Sequence, residues 1–320
     1  MPTATESSEF TAAAEPFRRE LLVHCYQMLG SVTDAQDLVQ ETMLRAWRAF
    51  DRFDPTRATM RTWLHRIATN ACLNAIQGRA RRPLPSGVGP VFDDPEAAFA
   101  PGFEVPWLQP MPDQVLARFG DDPGELSAER SGLRLALVAA LQLLPAKQRA
   151  SMILREALGF SAAEVADTLD MTTAAVNSAL QRARATVVGL DFDQIKEPNA
   201  EERVVVDRYM AAFEKADVDG LARLLAEEVV LEMPPMWNWY EGREAYVRFM
   251  ARIFTMRDDW RGLPIWANRQ PAFAAYAREG DRFELHTLQV FTVGDGLVRR
   301  MTTWQDRDVF ALFELPEILT

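Results

Sequence analysis

Residues 161–186, SAAEVADTLDMTTAAVNSALQRARAT, read as two short helices joined by a tight turn. Ser161 followed three positions on by Glu164 is a capping box, the mark of a helix start. Ala162, Val165, Ala166 and Leu169 then recur at helical spacing. Asp170-Met171-Thr172-Thr173 breaks the stripe, and either threonine can cap a second helix. In that helix Val176, Ala179, Leu180, Ala183 and Val187 share one face. Thr173, Ala174, Asn177, Ser178, Gln181, Arg182 and Arg184 are left outside. A helix-turn-helix buries one side of its second helix and offers the other to the major groove. There Asn, Gln and Arg pair with base edges, while Ser and Arg hold phosphates. A plain helical hairpin with a solvated basic face has the same pattern, so the rest of the chain must decide.

The rest of the chain is acidic in sum and basic in places. Net charge is −11 over 320 residues, which argues against a protein that coats nucleic acid indiscriminately. Residues 17–82 nevertheless carry eleven basic against six acidic groups, and residues 130–190 seven against four. Between them, residues 83–129 hold one basic and nine acidic residues and nine of the 19 prolines. Such a segment cannot order itself alone. Its Phe92, Phe99, Phe103, Val105, Trp107, Leu108 and Met111 are unusual for a passive spacer and imply that it docks on something. Cys25 and Cys72 sit in apolar helical patterns and fit no zinc spacing, so free core thiols and no metal or cofactor are expected. With no charged-then-apolar leader and no bilayer-length apolar run, a cytoplasmic protein with no membrane partner is expected.

Five segments follow: a tail over 1–16, a helical module over 17–82, the acidic linker over 83–129, the helix-turn-helix module over 130–188 and a domain over 199–320. In the first module Leu21, Leu22, Cys25, Met28 and Leu29 form one stripe. Thr33 and Gln36 suggest a capping box opening a helix with Leu38, Val39, Thr42, Met43, Ala46 and Phe50 inward. Pro55 separates it from a third helix with Trp63, Leu64, Ile67, Ala68, Ala71 and Ala75 on one face. The last domain reads as helices over 204–215, 221–226 and 243–254, followed by strands over 272–278, 282–293 and 297–304. Gly294-Asp295-Gly296 is a hairpin turn between the last two. Helices packed on one side of a curved antiparallel sheet make an α+β domain.

DAQDLVQETMLRAWRAFDRFDPTRATMRTWLHRIATNACLNAIQGRARR resembles region 2 of the extracytoplasmic-function branch of the sigma-70 family. LPAKQRASMILREALGFSAAEVADTLDMTTAAVNSALQRAR resembles region 4 of that family, which reads the −35 element. The resemblance implies a multidomain chain with two all-α domains, a region 2 helical bundle and a region 4 helix-turn-helix. It implies that Asp37, Gln40, Glu41 and Arg45 dock on the clamp of the large subunit of RNA polymerase core. Arg61, His65, Arg66, Thr69, Asn70, Asn74, Arg79, Arg81 and Arg82 map onto the part that melts and holds the −10 element of promoter DNA. Melting captures unstacked bases, which needs polar base partners and a cationic track. Trp63, on the apolar face, is expected in the core rather than as a stacking platform. The acidic linker would thread toward the RNA exit path, with Asp93, Asp94, Glu96, Asp121 and Asp122 imitating nucleic acid there.

Residues 199–320 are similar to the SnoaL-like, nuclear-transport-factor-like α+β cone. Sigma factors with this extension often carry a Trp-Leu-x-Pro-like linker motif, matched here by Trp107-Leu108-Gln109-Pro110. The resemblance implies that the extension regulates the sigma factor in cis. Cones of this type enclose a pocket with room for a small-molecule ligand. Tyr209, Phe213, Met233, Met236, Trp237, Trp239, Tyr240, Phe249, Phe254, His286, Trp304 and Asp306 are candidates to line it. Residues 236–240 could instead grip the linker or the DNA-binding modules in an intrachain contact. Glu232, Asp306 and His286 would be acid–base candidates, yet fold kinship does not transfer chemistry and no catalytic residue is assigned. The leading expectation is an alternative sigma factor. A ligand-responsive regulator that never joins polymerase, and an isomerase or cyclase with a DNA-binding appendage, are the alternatives.

Overall fold

The computed structural model describes residues 4–78, 80–119, 133–187 and 200–319. Its contacts divide the chain into two units, Met1–Arg82 with Val115–Ile195, and Pro83–Gln114 with Lys196–Thr320. The linker is therefore not one segment, because its part up to Gln114 belongs with the C-terminal domain.

In the first unit, α1 (Ala4–Ala14) replaces the expected tail. Its Phe10 and Ala14 are buried, and Phe10 meets Phe50 edge-on at 5.4 Å. α2 (Arg18–Leu29) ends at Gly30, whose left-handed backbone lets its N–H close on Tyr26 O at 2.7 Å. α3 (Val32–Arg48) is capped by Ser31, which accepts from Asp34 N, rather than by the expected Thr33–Gln36 box. α4 (Met60–Ile76) starts at the cap Thr59. Of its predicted stripe Leu64, Ala68 and Ala71 are buried, while Trp63, Ile67 and Ala75 are half-buried.

The larger departure is polar. His65 and Thr69, expected on the DNA side, are fully buried. His24 Nε2 and Thr69 Oγ1 share a 2.9 Å hydrogen bond, and His65 Nδ1 bonds Arg61 O at 2.9 Å. His65 Nε2 lies 3.0 Å from Glu20 Oε1. Positions 61, 65 and 69 stand one turn apart on the same face of α4, which brings these groups together in the interior of the module. Burial first, then the neighbouring His65, holds His24 well below the usual histidine range.

The second helical module comprises α6 (Leu135–Leu143), α7 (Ala146–Met152, continued by a π-turn over Ile153–Ala157), α8 (Ala162–Leu169) and α9 (Thr173–Thr186); the short α5 (Asp113–Ala117) precedes it. Arg149 of α7 clamps it to α2. The buried guanidinium donates to Met28 O and Gln142 Oε1, and to the carbonyls of Gln142 and Leu144. Gln142 in turn donates to Gln27 O at 3.0 Å. Gln27 and Met28 lie in the last turn of α2, where carbonyls lack helical partners and the dipole favours a cation. Burial, then the charge of Arg81, pushes the Arg149 pKa down to about 10, so it stays charged at neutral pH. Arg149→Met should leave these carbonyls unpaired and cost about 2–3 kcal/mol. Hydrogen exchange of α2 and α7 amides is then expected to accelerate by roughly fiftyfold. Unchanged exchange would remove the clamp from this account.

In the second unit, α10 (Ala200–Glu214), α11 (Val218–Ala222) and α12 (Arg243–Met256) pack on a sheet. The strands are β1 (Leu225–Glu232), β2 (Trp239–Glu241), β3 (Trp260–Ala267), β4 (Gln270–Glu279), β5 (Arg282–Gly294), β6 (Leu297–Trp304) and β7 (Ile318–Leu319). Their order is β2-β1-β6-β5-β4-β3 with β7 on β5, and only β1 and β6 run parallel. Tyr209, Phe213, Phe249, Phe273, Phe291 and their neighbours fill the space between helices and sheet. The predicted helices-then-strands order is corrected. β1 and β2 fall between α11 and α12, and the helix expected over 221–226 ends at Ala222.

Candidate functional site

α9 is capped by Thr172, whose hydroxyl accepts from Ala175 N at 3.1 Å. The preceding turn passes through Asp170 in the left-handed region (φ 50°), a conformation aspartate tolerates better than most residues. Val176, Ala179, Leu180 and Ala183 are buried, and all seven expected outward residues from Thr173 to Arg184 are exposed. Arg184 pairs with Glu156 at 2.6 Å, and Ser178 bonds Ala174 O. Asn177, Gln181 and Arg182 have no intrachain side-chain partner among the described residues.

On α3, Asp37, Gln40 and Arg45 are exposed and Glu41 is half-buried, with Glu41 and Arg45 paired at 2.5 Å. Leu44 stands exposed among them, an apolar side chain the sequence reading left out. On α4 the expected set divides. Arg66, Asn70 and Asn74 form an exposed row at four-residue spacing, and Arg81 is exposed beyond it. Arg82 pairs with Asp34 at 2.8 Å, and Arg79 lies outside the described residues. Arg61 pairs with Glu20 at 2.7 Å, donates to Leu158 O at 2.8 Å and covers the Phe160 ring. Thr62 bonds Glu164, the third helical residue of α8 and the partner of Ser161 in its capping box, at 3.1 Å. Beside this row lies a groove of about 610 Å³ walled by Phe53, Trp63, Arg52, Arg57 and Arg66 and also by the carboxylates Asp54, Glu164 and Asp167. The Phe53 and Trp63 rings meet tilted, 4.9 Å apart, and line the groove, so Trp63 is a groove wall rather than the core residue expected.

In the second unit, residues 83–112 run along the domain and are bonded to it repeatedly. Trp237 N donates to Ala100 O and Gly102 N to Pro235 O, each at 2.8 Å. Phe92 N donates to Trp239 O, and the Trp239 indole to Gly89 O. The Trp304 indole donates to Leu108 O at 2.9 Å. Met111 and Asn268 exchange two bonds of 2.8 Å. Trp107, Leu108 and Pro110 of the linker motif are buried, and Trp107 meets Trp237 edge-on at 5.0 Å. Asp94 and Glu96 face Arg248, whereas Asp121 and Asp122 lie outside the described residues.

This docking corrects the expected pocket lining. A cavity of about 290 Å³ opens between α12 and the sheet, lined in part by Phe213, Met233, Met236, Phe249 and His286. Trp237, Trp239 and Trp304 hold the linker instead: the Trp239 and Trp304 indoles donate to linker carbonyls, as an indole N–H removed from water needs an acceptor, and Trp237 bonds it through its backbone N–H and packs on Trp107. Tyr209 and Tyr240 are core residues. Asp306 caps α13 (Arg307–Leu312), accepting from Asp308 N and Val309 N. Glu232 is buried against Arg300 at 2.6 Å and accepts from Ser86 N at 3.0 Å. The three acid–base candidates are therefore not brought together, and only His286 borders the cavity.

Three family models match in the order these sites stand. They are Sigma-70 region 2 over residues 14–82, Sigma-70 region 4 over 134–187 and the SnoaL-like domain over 206–301. The chain is 43% identical over 327 residues to the ECF RNA polymerase sigma factor SigG of Mycobacterium tuberculosis, spanning 99% of this chain and 87% of that protein. It therefore belongs to the ECF RNA polymerase sigma factors, here with a C-terminal SnoaL-like domain. SigJ of the same organism is 28% identical over 256 residues, 78% of this chain and 73% of that protein. The crystal structure of SigJ aligns with a TM-score of 0.66 at 21% identity, covering 97% of this chain and all of that one, a likeness of fold. Among the described residues no helix is long and apolar enough to cross a membrane.

Proposed function

We propose that this sigma factor engages polymerase core through the α3 face, opens the −10 element with the α4 row and its groove, and reads the −35 element with α9. The C-terminal domain regulates initiation in cis, without catalysis, by storing the linker. The α3 face joins fixed charge to an exposed leucine, which suits an oriented protein interface. The α4 groove sets two aromatic rings and three arginines beside three carboxylates, Asp54, Glu164 and Asp167; the rings and cations are the chemistry that captures an unstacked base. Arg61, His65 and Thr69 then serve the interior of the module, and Arg66, Asn70, Asn74 and Arg81 are its DNA-facing set.

The observation that carries the regulatory reading is the docked linker. A segment whose carbonyls and amides are already bonded to one domain cannot at the same time occupy a channel in polymerase. Each such bond is worth about 0.5–1.5 kcal/mol net, so several together make storage a real competitor. The test is run-off transcription with purified core on a promoter library, comparing the full chain with one ending at Gly189. Promoter-specific transcripts are expected from both, several-fold more from the shorter chain. No core binding and no transcripts from either would discard the polymerase reading in favour of a stand-alone regulator.

A further inference from the structure

The cavity of the second unit is lined by two residues that each bury one polar atom without a hydrogen-bond partner among the described residues. Gln289 and Thr303 are 3% and 9% exposed and stand directly opposite each other on β5 and β6. The Gln289 amide donates to Thr287 Oγ1 at 3.2 Å, but its Oε1 has no hydrogen-bond partner, and neither has Thr303 Oγ1. Both residues line the cavity. Leaving a buried polar atom unpaired costs about 1–3 kcal/mol, and here two such atoms adjoin one space. The remaining wall is mostly apolar, with Phe213, Phe249, Met250 and Trp260, so a cluster of waters would find few partners there.

The wall also selects against charge. It contains no carboxylate, and its one guanidinium, Arg257, is engaged by Glu279. His286 receives Gln305 Nε2 on its Nδ1 at 3.0 Å. Burial first, then the charge of Arg257, pushes the His286 pKa down to about 4, so the ring is neutral at physiological pH. At about 290 Å³ the cavity lies at the lower edge of the ~300–1,000 Å³ usual for ligand pockets.

One wall comes from the linker. Phe99 lines the cavity, sits edge-on to Phe249 at 6.2 Å and is covered by Arg252 at 5.1 Å. Arg252 also donates to Ala97 O at 2.7 Å and Pro95 O at 3.1 Å. Anything filling the cavity therefore touches the linker only while the linker is docked.

We propose that this cavity is a receptor site for a small, uncharged, mostly apolar molecule whose single hydrogen-bonding group is taken by Gln289 and Thr303, and that its occupancy fastens the linker to the domain. The second half rests on the reading of the linker as the stored, regulated element; the first half does not. A ligand that binds only the docked state stabilises it by mass action, in proportion to the logarithm of its concentration over Kd.

The experiment is a fluorescence titration of the full chain with phenylnaphthylamine, a neutral dye with one N–H donor. Its sulfonated counterpart, anilinonaphthalenesulfonate, is titrated in parallel. Saturable binding of the neutral dye at one site per chain is expected, at least tenfold tighter than the sulfonate. Gln289→Leu should weaken the neutral dye about tenfold without lowering the melting temperature, because leucine removes an unpaired polar atom from the interior. Ile253→Trp, at the edge of the cavity, should abolish binding by filling it. Equal or tighter binding of the sulfonate, or unchanged affinity in Gln289→Leu, overturns the site. Hydrogen exchange at Ala100 and Gly102 tests the coupling. Slowing with bound dye supports it, and unchanged exchange at saturation overturns the coupling while leaving the site standing.

Discussion

Alanine at Asn177, Gln181 and Arg182 together is expected to cut run-off transcription from a −35-dependent promoter by at least about a hundredfold, with thermal unfolding unchanged. All three are exposed on α9 and have no intrachain side-chain partner among the described residues, so truncation breaks nothing that holds the fold. Alanine is also the strongest helix former, which keeps α9 intact. A good base contact is worth about 1–3 kcal/mol of discrimination, and losing all three exceeds the ~2.7 kcal/mol of a hundredfold change. The residual activity should equal that of the unaltered protein on a promoter with a scrambled −35 element. Arg184→Ala provides the contrast, since Glu156 already holds that guanidinium at 2.6 Å. It should weaken binding modestly on every sequence and flatten the salt dependence. Undiminished, sequence-specific output from the triple variant would remove α9 as the reader of the element.

What could be read from the sequence follows from how local each signal is. The helix-turn-helix was legible because its capping box and its 3.6-residue stripe lie within one short stretch, and the structure reproduces both. β1 was not, because a register shift between Leu225 and Val230 disturbs the alternation that marks a strand. β3 carries Gly262 and Pro264, which argue against a central strand, and it is in fact the last strand of the sheet order. His65 and Thr69 misled for a different reason. Their burial depends on His24 and Glu20, partners more than forty residues away that no periodicity reveals. The tryptophans at 237, 239 and 304 were all expected to line the pocket, with 237 and 239 offered alternatively as a grip on the linker, and the structure sets all three against the linker. Their acceptors lie in a proline-rich segment whose path only the tertiary structure supplies.

That path also fixes where the stored linker is most sensitive to change, and Gly102→Val is the substitution expected to release it. A Cβ at Gly102 would stand 2.8 Å from the Trp237 indole nitrogen and 2.9 Å from Trp107 Cζ2. No real Cβ sits so close, and the two rings are packed on each other and cannot both withdraw. The Trp107 indole donates to Gly102 O at 2.8 Å, and Gly102 N donates to Pro235 O, so moving the backbone strips both bonds. The loss of this contact should expose Trp107 and the buried Leu108, giving a red shift in tryptophan emission and faster hydrogen exchange at the Gly102 and Leu108 amides. In run-off assays the variant should approach the output of the chain ending at Gly189, several-fold above the full-length protein. Placing the same substitution at Gly89, where the nearest atoms are 3.7 and 4.0 Å away, should leave transcription close to that of the unaltered chain. A Gly102→Val protein that loses its docked contacts yet transcribes no better would show that the domain does not restrain initiation through the linker. An output below that of the unaltered chain would mean that the docked form is the active one.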